Sequence, residues 1–422
     1  MLSQTVRMLD DSHGSELEFA CRIRHIYGMS QEVPLQHTIV TRALSWMHSL
    51  WRVGVIRHLL VLGLYSLLTV IATFQFVRNH SNPMLAEELH QHHNEELPHS
   101  HMSGVNAKSW ARFPAMVEGT AYKPYVSRAF MPILIRGVRS VVPESTQTWL
   151  EQELYTGKTV QLSLTEIGLD WEQDYFTEYV ILMGLLFLML IGFCYSLRYL
   201  FRAVYDGPEW LEILLPIVAI LSLPPFFELY GSYIYDFAGL FLFTLGLALI
   251  VQRRWIAYLI VFALGTINKE TTVLLTISFC MFHTFSGRVT WKTFFALSLA
   301  QVFIFLGIKL AISMAFAEND GGATEFHLLR NISKFPRYGI GSIVAALVVT
   351  VVAAYDWNAK PLFLRSALVI LVPLIILTFF FGYFDELRDY YEAFPIVLLL
   401  LTHSVAKYLN IPLETRPNAR SV

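Results

Sequence analysis

The chain has 422 residues, of which 55 % are hydrophobic and only 15 % charged, with a formal net charge of −2. So little charge cannot coat two or three water-facing domains, and a pI near 6.7 offers no basic surface for nucleic acid. Mean hydropathy is +0.49, and the apolar residues form long runs, as crossing a hydrocarbon core about 30 Å thick requires.

Residues 1–57 are polar and precede the first apolar run, which starts near His58, so no cleavable leader is expected. Apolar runs at 58–77, 179–197, 211–227, 236–252, 255–267, 271–286, 292–313, 338–355, 363–382 and 391–408 are expected to span the membrane. Arg42, Arg52 and Arg57 precede the first run, and a basic group recurs at every second junction: Arg198 and Arg202, Arg253 and Arg254, Arg288 and Lys292, Lys360 and Arg365, Lys407 and Arg416. By the positive-inside rule both termini are cytoplasmic. The expected fold is an all-α integral membrane protein of about ten transmembrane helices. It divides into a cytoplasmic segment 1–57, a membrane domain 58–408 and a cytoplasmic tail 409–422. The segment 255–286 reads either as one long tilted helix or as a hairpin, and the charge rule favours the hairpin, with Asn268-Lys269-Glu270 at its outer tip.

Two outer loops are long. The first, 78–178, opens with His80, His90, His92, His93, His99 and His101. These lack a helical i, i+4 pair and read as a solvated loop without metal. From Tyr125 to Val142 the apolar residues fill one arc, while Arg128, Arg136 and Arg139 fall within about 80° of one another. This predicts an interfacial helix on the outer leaflet, with Pro132 in its first turn. The second outer loop, 314–337, holds Asp320, Arg330, Lys334 and Arg337. Asn79-His80-Ser81 and Asn331-Ile332-Ser333 are glycosylation sequons. Pro224-Pro225 marks a broken helix, Phe379 to Phe381 an aromatic belt, and Cys21, Cys194 and Cys280 suggest no disulfide framework.

With this topology Glu228, Asp236, Asn268-Lys269-Glu270 and the Asp385–Asp389 link share one depth near the outer surface. Burying charge there is costly, so such a gathering reads either as solvated helix ends or as a site. Carboxylates there would take a proton from a hydroxyl, and Lys or Arg would hold an anionic leaving group.

In plan and local pattern the chain resembles the GT-C superfamily, polytopic glycosyltransferases that use polyprenyl-phosphate sugars on the non-cytoplasmic face. The resemblance rests on the stretch Tyr125 to Pro132, on Tyr235-Asp236 opening a span, on Asn268-Lys269-Glu270-Thr271, and on Glu386-Leu387-Arg388 before the last span; it covers about 125–410. It implies transfer of a sugar from a polyprenyl-phosphate donor to an outer-face acceptor, with no cofactor, in a bacterial plasma (inner) membrane. It implies a carboxylate base in the first outer loop. Residues 78–147 hold no Asp, leaving Glu87, Glu88, Glu95, Glu96, Glu118 and Glu144, of which Glu118 is expected. Arg128, Lys269 and Arg388 are then expected to hold phosphate, with Asn268 beside them, and Asp236, Glu270 and Glu386 to position sugar hydroxyls and those cations. A transporter or flippase, or an outer-face polymerase or ligase, is the alternative. Transport would call for midplane charges within an inverted repeat, which the chain does not display.

Overall fold

The computed structural model describes residues 54–81, 113–158, 160–161, 164, 171–228, 233–287, 289–322, 326–334, 340–384 and 386–419. The His-rich stretch from His90 to His101, residues Glu87, Glu88, Glu95, Glu96 and Asp385, and everything before Gly54 lie outside them. The chain separates into two compact units, Met1–Leu62 and Gly63–Val422. Residues 54–62 of the first are helical.

Each of the ten expected apolar runs falls on helix: α1 (Gly54–Ser81), α2 (Phe176–Val204), α3 (Glu209–Leu221) continued by α4 (Pro224–Glu228), α5 (Asp236–Val251), α6 (Trp255–Asn268), α7 (Leu274–Ser286), α8 (Trp291–Ala315), α9 (Ile340–Ala354), α10 (Leu362–Ala367) continued by α11 (Leu371–Phe381), and α12 (Phe394–Tyr408). Among the described residues, five stretches are long and apolar enough to cross a membrane: Arg57–Val77, Gln173–Val204, Glu209–Phe227, Trp291–Ala315 and Leu362–Phe381. The remaining helices are shorter; α5, with 16 residues, rises about 24 Å at 1.5 Å per residue.

Their burial is inside-out relative to a soluble bundle. Along α1, Tyr65, Thr69, Ala72, Thr73 and Phe76 face protein, while Leu64, Leu67, Val70, Ile71 and Phe74 are exposed. The largest apolar side chains of α8 are exposed too, including Phe295, Leu299, Phe303, Leu306, Leu310 and Met314, and only Leu297 and Gln301 of that helix are buried. An apolar face of this extent is not stable against water and suits lipid contact.

The fold-back at 255–286 is decided by its neighbours. Asn268 lies against Tyr235 and Gly239, whereas Leu275 lies against Gly246. The chain therefore returns along α5 after reaching its N-terminus. Gly265 abuts Thr272, and the Phe279 ring lies 5.7 Å from Trp255 and 6.4 Å from Tyr258. Those pairs are the rungs of an antiparallel hairpin; one continuous helix would hold 258 and 279 about 31 Å apart.

Sequence periodicity misplaces several breaks. The expected single helix over Tyr125–Val142 is a 3₁₀ turn, Tyr125–Ser127, followed by a helix over Phe130–Val141. Arg128 sits between them with φ −91° and ψ 64°, so it does not share the helical face of Arg136 and Arg139. The run 363–382 is likewise two helices joined by a 3₁₀ turn at Leu368–Ile370, just before Pro373, whose missing N–H cannot join a continuous ladder. The broken helix expected at Pro224-Pro225 is present as the α3/α4 junction.

At the opposite end of the helices from the hairpin tip, the chain after α2 pairs with the C-terminal residues. Tyr205 opposes Thr415 and Asp206 opposes Glu414 in a two-stranded antiparallel ribbon, and the Arg416 amide donates to Val204 O at 2.9 Å. Nearby, the buried Lys360 ammonium donates to Leu400 O and Ser404 Oγ, both at 2.7 Å. Lys407 pairs with Asp356 at 3.5 Å. The basic junctions after the second, eighth and tenth runs thus carry contacts to one another.

Candidate functional site

The hairpin tip is built by a local failure of helix. Lys269 is extended (φ −156°, ψ 146°), which ends α6, and the absent Cβ of Gly265 leaves room for Thr272 at 2.9 Å. Asn268 Nδ2 donates to Tyr235 O at 3.0 Å, tying the tip to the start of α5. There the Asp236 carboxylate accepts the Tyr233 N–H at 2.9 Å while the Asp236 N–H donates to Tyr233 O at 2.9 Å, fixing the Tyr233–Asp236 turn.

That turn carries an aromatic stack. Tyr233 stacks on Tyr125 at 5.2 Å and on Tyr235 at 5.4 Å. One arginine meets an end ring of the stack and another its middle ring. Arg128 donates to the Tyr235 hydroxyl with its guanidinium 4.4 Å from that ring, and Arg388 lies 4.1 Å over Tyr233. Cation–π contact of this kind contributes on the order of 2 kcal/mol when desolvated. Arg388 also donates to Glu386 Oε2 at 2.8 and 2.5 Å.

Glu270 joins these parts. Its carboxylate lies 3.7 Å from Arg128 and 3.1 Å from Lys309 of α8. Burial alone would raise its pKa, but the flanking cations Arg128 and Lys309 outweigh that and hold it at about 2. Its side chain is nonetheless 44 % exposed, whereas those of Arg388 and Glu386 are 11 % and 4 % exposed. The cluster is therefore walled by protein and opens beside Glu270. Burial, opposed by Arg388 and reinforced by Asp389, pushes Glu386 up to about 7. Lys269 pairs with Glu392 at 3.6 Å, and the Thr271 hydroxyl donates to the same carboxylate.

Four cations, Arg128, Lys269, Lys309 and Arg388, thus meet four carboxylates, Asp236, Glu270, Glu386 and Glu392. The network is incomplete. Arg128 Nε, Asn268 Oδ1, the Tyr391 hydroxyl and Glu392 Oε2 are buried and take no hydrogen-bond partner from the protein. Buried polar atoms are seldom left so. Donors and acceptors in alternation suit a ligand with hydroxyls and an anionic group.

Of the residues expected from sequence, the structure brings together Arg128, Asp236, Asn268, Lys269, Glu270, Glu386 and Arg388. Glu118 is elsewhere. It is exposed at the end of a short helix, Phe113–Glu118, accepts the Tyr175 hydroxyl, and lines a separate cavity with Arg136, Arg139 and Glu178 that none of the cluster residues touches. Sequence reasoning missed Lys309, Tyr233 and Glu392. Lys309 had a signal: it is the one charge between Lys292 and Glu318, and a lone charge in an apolar helix marks a paired or functional position. The comparisons identify no relative: no protein-family model, curated protein or solved structure matches this chain.

Proposed function

We propose that the chain is a multi-pass membrane glycosyltransferase of GT-C type, moving a sugar from a polyprenyl-phosphate donor to an acceptor on the non-cytoplasmic face. The observation that carries this reading is the ring of charged tips around the tyrosine stack, with Arg128 over Tyr235, Arg388 over Tyr233 and unpartnered polar atoms in the same network. In this reading all ten apolar helices cross or enter the bilayer, both termini are cytoplasmic, and the cluster opens to the outer headgroup layer. Arg128 and Arg388 hold the donor phosphate. Asn268 and Glu392, with their free oxygens, take sugar hydroxyls. Glu386 replaces Glu118 as the carboxylate that accepts the acceptor's proton, since its pKa of about 7 suits a general base near neutral pH. Lys269 and Glu270 keep these groups in place.

Transfer from polyprenyl-phosphate sugars, measured in membranes carrying Arg388→Ala, Lys269→Ala or Glu386→Gln, tests the assignment. A loss on the order of a hundredfold is expected for Arg388→Ala and Glu386→Gln. Undiminished transfer in all the variants contradicts it.

One observation favours transport as the second reading. Lys309 lies within an apolar helix and pairs with Glu270 at 3.1 Å, an arrangement also found where ions or protons cross membranes. Substrate-dependent uptake into vesicles without sugar transfer would select it.

A further inference from the structure

The cavity that holds Glu118 has a volume of about 550 Å³ and chemistry unlike the cluster's. Its floor is Glu178, only 1 % exposed. Arg139 donates to Glu178 Oε1, while Oε2 accepts no hydrogen bond from the protein. A desolvated carboxylate oxygen without a donor is unfavourable, and a charged N–H donor there is strongly stabilising. Glu118 and Asp174 add two more carboxylates to the lining. Arg139 cannot answer them, because Glu178, Gln147 and Glu151 already engage it. The remaining lining cation, Arg136, has neither a hydrogen bond nor an ion pair among the described residues. The cavity therefore offers an unmet anionic floor and a separate free guanidinium.

The Phe130–Val141 helix adds an apolar flank. At 100° per residue, Arg136, Arg139 and Ser140, which line the cavity, share an arc of about 100°. Ile133, Gly137 and Val141 adjoin that arc on the Ser140 side, and Ile133 and Val141 are exposed at 48 % and 77 %. Trp149, just beyond, is exposed as well, and such aromatics favour membrane interfaces. A soluble amine has no use for that strip; an acyl chain does.

We propose that this cavity binds the head group of an aminophospholipid, with its primary ammonium on Glu178 and its phosphate on Arg136. Glu118 and Asp174 flank the ammonium, and the acyl chains lie along Ile133 and Val141. A choline head group cannot replace it, since its trimethylated nitrogen has no N–H for Glu178. This site is independent of the transferase reading.

Native mass spectrometry of the full-length protein with phosphatidylethanolamine, phosphatidylcholine and phosphatidylglycerol of equal acyl chains tests it, with free phosphoethanolamine as competitor. Retention of the ethanolamine lipid is expected to exceed that of the others about tenfold, the worth of one charge-assisted hydrogen bond. Glu178→Gln should abolish the preference. Because losing the Arg139 pair could also disturb folding, Arg136→Gln is the second variant: an exposed side chain without a partner, whose loss should lower retention about tenfold in an intact fold. Equal retention of the three lipids, unchanged retention in Arg136→Gln, or displacement by free phosphoethanolamine at equal concentration would each overturn the proposal.

Discussion

Tyr233 and Tyr235 set what Arg128 and Arg388 can do. Each ring offers its face to a buried guanidinium, and Arg128 stays charged: its pKa is pushed above its usual range by Tyr235 and Glu270, despite burial. Glu386 is the group that titrates near neutrality. As a base it works only when deprotonated, so kcat/KM for transfer should fall about tenfold per unit as pH drops below about 7, and level off above it. In Glu386→Gln the residual rate should be flat through that range; an unchanged profile would remove Glu386 from the proton's path. A different residue illustrates what composition hides. Asn331 belongs to a sequon, yet it is fully buried, its amide donating to Phe379 O at 2.8 Å and Gly382 O at 3.0 Å while its carbonyl accepts the Phe384 N–H at 3.2 Å. It should carry no glycan when expressed in a eukaryotic host, read as an unchanged gel mobility after glycosidase. Asn331→Ala should destabilise by about 1–3 kcal/mol, because carbonyls of the Phe379–Gly382 turn lose their donor, visible as a lower melting temperature in detergent.

Among the elements, the α6/α7 hairpin matters most, because it carries Asn268, Lys269 and Glu270 to the start of α5. Cysteines at 265 and 272 should join in a disulfide under mild oxidation, as their side-chain positions lie in van der Waals contact. In a continuous helix those positions would be about 10 Å apart along the axis, too far to bridge. Failure to cross-link, with the protein folded, would restore the single-helix reading. Hydropathy located every helix named in the bilayer reading, because apolar length is a direct demand of lipid. The break at Arg128 was not legible, whereas the one at Leu368–Ile370 had a signal in Pro373 that hydropathy alone passes over. A 3.6-residue period reports which residues would share a face if the helix continued, and it cannot detect a single residue leaving the helical region. Hence the period groups Arg128 with Arg136 and Arg139, although it turns to Tyr235.

At the scale of the second unit, and apart from the Glu178 cavity, two gatherings of charge stand out among the described residues. One is the tyrosine–arginine cluster at the hairpin tip; the other joins Lys360, Lys407 and Arg416 to the ends of α2 and α12. The meeting of distant tips was legible as a consequence of alternating basic junctions, since that rule forces every other helix end to one side. The partner choices within the cluster were not, because Lys269–Glu392 and Lys309–Glu270 depend on how α8 and the α11/α12 link pack, which no local pattern encodes. Transfer from an outer-face donor requires that the cluster open on the non-cytoplasmic side of the membrane. In a background lacking Cys21, Cys194 and Cys280, a cysteine at position 270, where the cluster is open, should react with a membrane-impermeant maleimide added to sealed, right-side-out vesicles, while a cysteine at 407 should react only after permeabilisation. Labelling of position 270 only from the cytoplasmic side would contradict it.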